Sequence, residues 1–145
     1  VIPTIITQLA AGQRRIPLGA LTPTRDFSFV TDTARAFIAM AESADVLGKV
    51  VNFGSNFEIS IADTATLIGE AMGIDFEIAC DPKRLRPAGS EVDRLWCDNS
   101  LALALTGWSP EFSGREGMRR GLAITAEWFQ NPVNLKRYKA GVYNV

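Results

Sequence analysis

The sequence predicts an α/β domain in which helices pack on a small set of short strands. Two observations carry this. Stretches with apolar residues three and four apart alternate with short stretches of period two, and Gly or Pro separates most of them. The chain has 145 residues, 47% hydrophobic and 21% charged, which suffices for the core of a single domain spanning 1–145.

Residues 1–11 read as a helix, since Ile2, Ile6, Leu9 and Ala10 share a face, Pro3 is tolerated in a first turn and Gly12 ends it. Residues 14–19 read as extended, with Pro17 keeping them from a sheet centre. In 25–32, Phe27 and Phe29 alternate about Ser28, giving a strand with Arg25 at its mouth. Asp32 then falls at a helix start, where a carboxylate accepts orphan N–H groups and complements the helix dipole. The helix over 31–43 is predicted to turn Ala34, Phe37, Ile38 and Ala41 into the core.

After a turn at Gly48, Val50, Val51, Asn52 and Phe53 predict a buried strand that stops at Gly54, and 56–58 bridge to the next helix. Ser60 to Asp63 form a capping box, followed by a face of Ile61, Ala65, Ile68 and Met72 up to Gly73. Residues 76–80 alternate as a strand that Asp81-Pro82 stops. Residues 83–92 are a polar loop with three cations. Residues 94–97 return as a strand, Asp98 or Asn99 caps a helix over 100–105, and Trp108 is a packing anchor beyond Gly107. Ser113 to Glu116 form a second capping box, opening a helix whose Met118, Leu122, Thr125 or Ala126, and Phe129 share a face until Asn131-Pro132.

Composition removes several function classes. Fifteen basic against sixteen acidic residues leave a net charge of −1, which does not suit nucleic acid held by bulk electrostatics, and the cluster Lys136-Arg137-Tyr138-Lys139 is too short to change this. There is no histidine, so Cys80 and Cys97 lack the partners of a zinc site or an activating base, and they read as buried thiols in a reducing cytoplasm. No apolar run approaches the roughly 20 residues of a membrane span. Gly114, Gly117 and Gly121 imitate a dinucleotide fingerprint, but they lie in a helical pattern and follow Ser109-Pro110-Glu111 rather than an apolar strand. No catalytic residue is assigned: there is no Gly-x-Ser-x-Gly elbow and no metal-ligand cluster, and Glu111 and Glu116 fall in surface contexts.

On chemistry alone Arg25 has two readings of equal weight. It can bind a phosphate or carboxylate bidentately, or pair locally with Asp26 or Asp32. Residues 16–18 read either as a loop packed on the core or as a ligand contact.

Arg-Asp-Phe-x-x-Val-x-Asp at 25–32, together with Val51-Asn52-Phe53-Gly54-Ser55, Ile59-Ser60-Ile61, Arg86-Pro87, Ser90-Glu91-Val92, Asp98-Asn99-Ser100 and Leu105-Thr106-Gly107-Trp108, resembles the extended short-chain dehydrogenase/reductase family of NAD-dependent nucleotide-sugar epimerases and dehydratases. The resemblance is to their C-terminal part and is strongest to the sugar 4,6-dehydratase branch. It implies the substrate lobe of an extended Rossmann-type enzyme without its dinucleotide-binding half, either truncated or separately encoded.

By resemblance, Arg25 and Arg86 bind the nucleotide pyrophosphate, Glu91 faces the ribose hydroxyls, and Ile16, Pro17 and Leu18 pass the base edge with their main chain. The implied ligand is a UDP-, GDP- or dTDP-linked sugar. NAD is implied for the full-length enzyme, with no cofactor site in this chain, because the glycine-rich turn is missing and neither Tyr138 nor Tyr143 has a lysine four residues on. The expected partners are a separate NAD-binding half and a second copy bound through Ile2, Ile6 and Leu9. The expected function is a nucleotide-sugar-binding lobe that is not catalytic alone, and the competing one is a free-standing binding or interaction protein that keeps the fold without the chemistry.

Overall fold

The computed structural model describes residues 1–85, 87 and 89–138. Eleven elements are used below: α1 (Ile2–Ala10), β1 (Arg15–Leu18), β2 (Thr24–Asp26), α2 (Val30–Glu42), β3 (Glu58–Ser60), α3 (Ile61–Met72), β4 (Glu77–Cys80), β5 (Arg94–Leu95), α4 (Ser100–Thr106), α5 (Gly114–Gln130) and α6 (Pro132–Leu135). They group into two compact units, one of residues 1–23, 60–93 and 122–145, the other of 24–59 and 94–121.

In the first unit β1 and β4 pair in parallel, with Ile16 opposite Ile78 and Leu18 opposite Cys80. A two-stranded sheet leaves Pro17 at an edge, where its missing N–H costs nothing. Helices α1 and α3 supply most of the core: Ile5, Ile6, Ile16 and Ile68 are fully buried, and Leu9 and Leu67 nearly so. Ser60 caps α3 as the sequence predicts, its hydroxyl accepting from Asp63 N at 2.9 Å, and Gly73 closes the helix at φ 63°. Leu122, Ala126 and Phe129 of α5 are buried at the predicted spacing.

This packing corrects the expected dimer surface. Ile6 and Leu9 are core residues at 0% and 1% exposure, so α1 has no apolar face built on them to offer a second copy. Cys80 is also exposed rather than buried, because it ends an edge strand of a two-stranded sheet.

In the second unit the sheet order is β3-β2-β5, with β2 and β5 parallel. A core cluster of Ala36, Ala102 and Trp108 is flanked by Ala39, Val51 and Phe53. Trp108 is the anchor the sequence predicts: its indole N–H donates to Asp32 O at 3.3 Å, and its ring meets Phe53 edge-on.

Four expectations are corrected here. Residues 27–29 are not strand, and α2 starts after Phe29, which supplies no side-chain cap. Asp32 does not cap its own helix; it lies 2% exposed within the first turn and accepts from Glu111 N at 3.0 Å and Phe112 N at 2.9 Å, so the segment after Trp108 supplies its partners. The face Ala34, Phe37, Ile38 and Ala41 is outside, with Phe37 74% and Ile38 57% exposed, while Asp32 and Ala36 are buried. Spacing identified an apolar stripe, but the stripe that packs is made of small residues, because Trp108 fills the space beside α2. Finally, Val50 to Phe53 form no strand and Val50 is 89% exposed, since no strand among the described residues runs beside them.

At α5, the predicted capping box is not made. The Ser113 hydroxyl donates instead to Ser55 O, and Glu116 pairs with Arg119. The bridge at 56–58 instead leads directly into β3.

Candidate functional site

Arg25 sits at the middle of β2, opposite Leu95 of β5, and donates from Nη1 to Thr24 O at 2.7 Å. Its strand is fixed from both sides. The Asp26 carboxylate accepts from Ser55 N at 2.8 Å and from the Ser55 hydroxyl at 2.6 Å through one oxygen, and from Cys97 N at 3.3 Å through the other. Gly54 lies close against Cys97 here, and a Cβ at that position would collide with it. Asp26 holds backbone between residues 55 and 97, and Asp32 does so at residues 111–112.

Beside Arg25, Glu58 accepts from the Thr24 hydroxyl at 2.8 Å and forms a bidentate pair with Arg94, whose guanidinium lies 5.3 Å from the Trp96 ring centroid. Hydrogen bonds from Arg94 and then from Thr24 hold the Glu58 carboxyl below its ordinary range, and the same pair raises Arg94. Sequence reasoning missed this group. Thr24, Glu58 and Arg94 are far apart in the chain, and only the β3-β2-β5 order brings them together.

Ile16 and Leu18 have buried side chains and Pro17 is half-buried, so β1 can offer a ligand only main chain and the proline ring. Glu91 is half-buried in the loop after residue 90. Ile16, Pro17, Leu18 and Glu91 belong to the first unit and Arg25 to the second, and Arg86 lies outside the described residues.

Burial, then the nearby Asp26 and Asp98, push the Cys97 thiol up, away from the thiolate a nucleophile needs. No group of three or more Cys, Asp or Glu among the described residues is arranged to hold a metal ion, and no described helix is long and apolar enough to cross a membrane.

The fold is that of the C-terminal part of a Rossmann-type epimerase or dehydratase, as the relatives show. The chain belongs to the GDP-mannose 4,6 dehydratase family, whose sequence profile matches residues 1–121. It is 32% identical over 123 residues to the UDP-glucose 4-epimerase of Mycolicibacterium smegmatis, covering 85% of this chain and 36% of that protein. An epimerase from the methanogen Methanothermobacter thermautotrophicus superposes with a TM-score of 0.77 at 29% identity, covering 94% of this chain and 39% of that one. The UDP-glucuronic acid 4-epimerase of Bacillus cereus, solved with UDP-glucuronic acid and NAD, has the same fold at a TM-score of 0.74 and 24% identity, over 94% of this chain and 39% of its own. The chain therefore spans well under half the length of these relatives.

Enzymes of this family bind NAD or NADP, and in this chain Gly114, Gly117 and Gly121 imitate a dinucleotide fingerprint. They do not fit. A Cβ on Gly117 would run into the Phe112 backbone, and one on Gly121 would stand 3.1 Å from the Phe29 ring, so both glycines admit aromatic neighbours to the helix rather than a pyrophosphate. Phe29 and Phe112 stack there at 4.2 Å between centroids.

Proposed function

We propose that this chain is the nucleotide-sugar-binding lobe of an NAD-dependent epimerase or dehydratase, and that the hydride chemistry belongs to a dinucleotide-binding half beyond residues 1–145. The observation that carries this reading is the family match over 1–121, which includes Arg25 on a strand held by Asp26, Ser55 and Cys97. A guanidinium on such a seat loses little entropy when it binds a diphosphate, and that binding is bidentate and charge-assisted. Arg25 and Arg86 bind the pyrophosphate, Glu91 the ribose, and the main chain of Ile16, Pro17 and Leu18 the edge of a uracil, guanine or thymine base. The bound molecule is a UDP-, GDP- or dTDP-linked sugar.

Neither a nucleophile nor an acid/base tyrosine with its lysine is present in these residues, so the pure chain binds without turnover. Titration calorimetry with UDP-glucose, GDP-mannose and dTDP-glucose tests the reading. Arg25→Lys and Arg86→Lys should each weaken binding by about 1.5–3 kcal/mol, the range for a hydrogen bond to a charged group. Binding that is indifferent to both changes, or conversion of any of these sugars by the pure chain, contradicts it.

A further inference from the structure

Gly12, Gly48 and Gly73 take a positive φ with open space where a side chain would stand, so their backbone demands glycine. Gly19, directly after β1, is the reverse case. Its φ lies outside the left-handed region, and what forbids a side chain is contact: a Cβ would collide with the Arg84 carbonyl oxygen and stand 2.9 Å from the Arg84 carbonyl carbon.

That obstacle is main chain, held in place on every side. Asp81 N donates to Leu18 O at 2.8 Å, which extends the β1–β4 pairing by one bond. The Asp81 carboxylate then accepts from Lys83 N at 3.0 Å and from Arg84 Nε at 3.1 Å, and Arg84 N donates to Asp81 O at 2.9 Å. These bonds wind Pro82–Arg84 into a single helical turn. The peptide unit facing Gly19 also carries the Leu85 N–H, which donates to Pro82 O at 3.2 Å, so the Arg84 carbonyl cannot turn aside without breaking that bond. The Arg84 side chain folds back on Asp81 and is only 15% exposed.

From this seat the chain enters the polar loop. Arg86 follows Arg84 by two positions, and a second turn, in which Ser90 N and the Ser90 hydroxyl both donate to Pro87 O at 3.0 Å, closes just before Glu91. The loop is thus tied to the end of β1 immediately before the residues to which a ligand role is given.

We infer that Gly19 is a positioning residue for nucleotide binding: its missing side chain admits the Arg84 main chain, and that seat sets the loop 84–92, with Arg86 and Glu91, against the end of β1. The inference rests on the reading of this chain as a nucleotide-sugar-binding lobe and adds a residue that acts through another. It also separates the two arginines. Arg86 depends on Gly19, whereas Arg25 has its own seat, made by Asp26, Ser55 and Cys97.

The test is Gly19→Ala in the full chain, read in two ways. The first needs no ligand: amide exchange at Asp81, Arg84 and Leu85 should quicken at least about tenfold while that of α3 stays as in the wild type, because only the bonds of the seat are opened. The second is titration with UDP-glucose, GDP-mannose and dTDP-glucose. Gly19→Ala should weaken the sugar that the wild type binds at least about tenfold, the factor for one lost hydrogen bond to a charged group. On that background Arg86→Lys should cost less than about a further twofold, while Arg25→Lys keeps its full effect, as coupled and independent sites behave. A residue of merely structural weight would leave both arginine effects intact or reduce both alike. If Gly19→Ala does not fold, Asp81→Ala opens the same seat at a side chain 28% exposed, by removing the acceptor of Lys83 N and Arg84 Nε, and should give the same pattern. Unchanged exchange at the seat, or an Arg86→Lys effect as large on the altered background as on the wild type, overturns the inference. A wild-type chain that binds none of the three sugars overturns the nucleotide reading and with it the ligand part of the inference, while the exchange readout still decides whether Gly19 seats the loop.

Discussion

The two units use their apolar residues in opposite ways. In the first, large aliphatic side chains are inside: Ile5, Ile6, Ile16 and Ile68 are fully buried around α1, α3 and β1. In the second, the core cluster centres on Trp108 and two alanines, the buried Asp32 and half-buried Asp26 carboxylates hold the backbone, and large apolar residues such as Phe37, Leu47 and Val50 are outside. The first unit closes its core on aliphatic side chains, with Ile124, Trp128 and Val133 left at the surface. The second leaves Phe37, Ile38, Leu47 and Val50 outside, so there the large apolar stripe of the helix is not the one that packs.

Substitutions can break this contrast. Ile6→Ala should cost about 2–5 kcal/mol in urea unfolding, the loss for a fully buried aliphatic side chain that leaves a cavity. A cost no larger than at a surface site would mean that the first unit is not the close-packed body described. Asp32→Ala strands the N–H groups of Glu111 and Phe112 and should cost about 1–3 kcal/mol, with Asp32→Asn less damaging because an acceptor oxygen remains. Phe37→Ser, which removes a far larger apolar group than either, should shift stability by no more than about 0.5 kcal/mol. A large loss there would place Phe37 in a core and remove the contrast.

The smallest effect concerns pH. Bonding to Arg94 and Thr24 depresses the Glu58 carboxyl in the folded chain, so its contribution is complete above the ordinary carboxylate range and fades as pH falls through the depressed value. In Glu58→Gln that part of the acid-side decline should vanish. An acid unfolding curve identical to that of the wild type would show that the Glu58–Arg94 pair is without weight, the common fate of surface ion pairs.

What the sequence showed and what it hid divide along the same line. The α3 cap at Ser60, the stop at Gly73, the buried stripe of α5, the role of Trp108 and the helical glycines were legible, because local spacing and turn chemistry decide them. The direction of α2 was not. Periodicity marks a stripe as apolar without saying whether this chain or another covers it, and the larger stripe lost to Ala36 and Ala39. Residues 50–53 misled for the same reason: strand composition promises a partner strand, and none among the described residues pairs with them. Asp32 reads from sequence as a capping carboxylate for the nearest N–H groups, whereas its actual donors are at residues 111–112. The assignment of Arg25 and Arg86 to a phosphate comes from the resemblance alone, since the chemistry of Arg25 weighs an anion and a local aspartate equally.

Hydrogen exchange on the full chain, with and without saturating UDP-glucose, tests the nucleotide reading most directly. The account predicts slowed exchange in Thr24 to Asp26 and in residues 84–92, with α4 unchanged and with the effect lost in Arg25→Lys. Exchange unaltered in both segments at saturation, or slowed equally in the Arg25→Lys chain, would contradict the assignment of this lobe to a nucleotide-linked sugar.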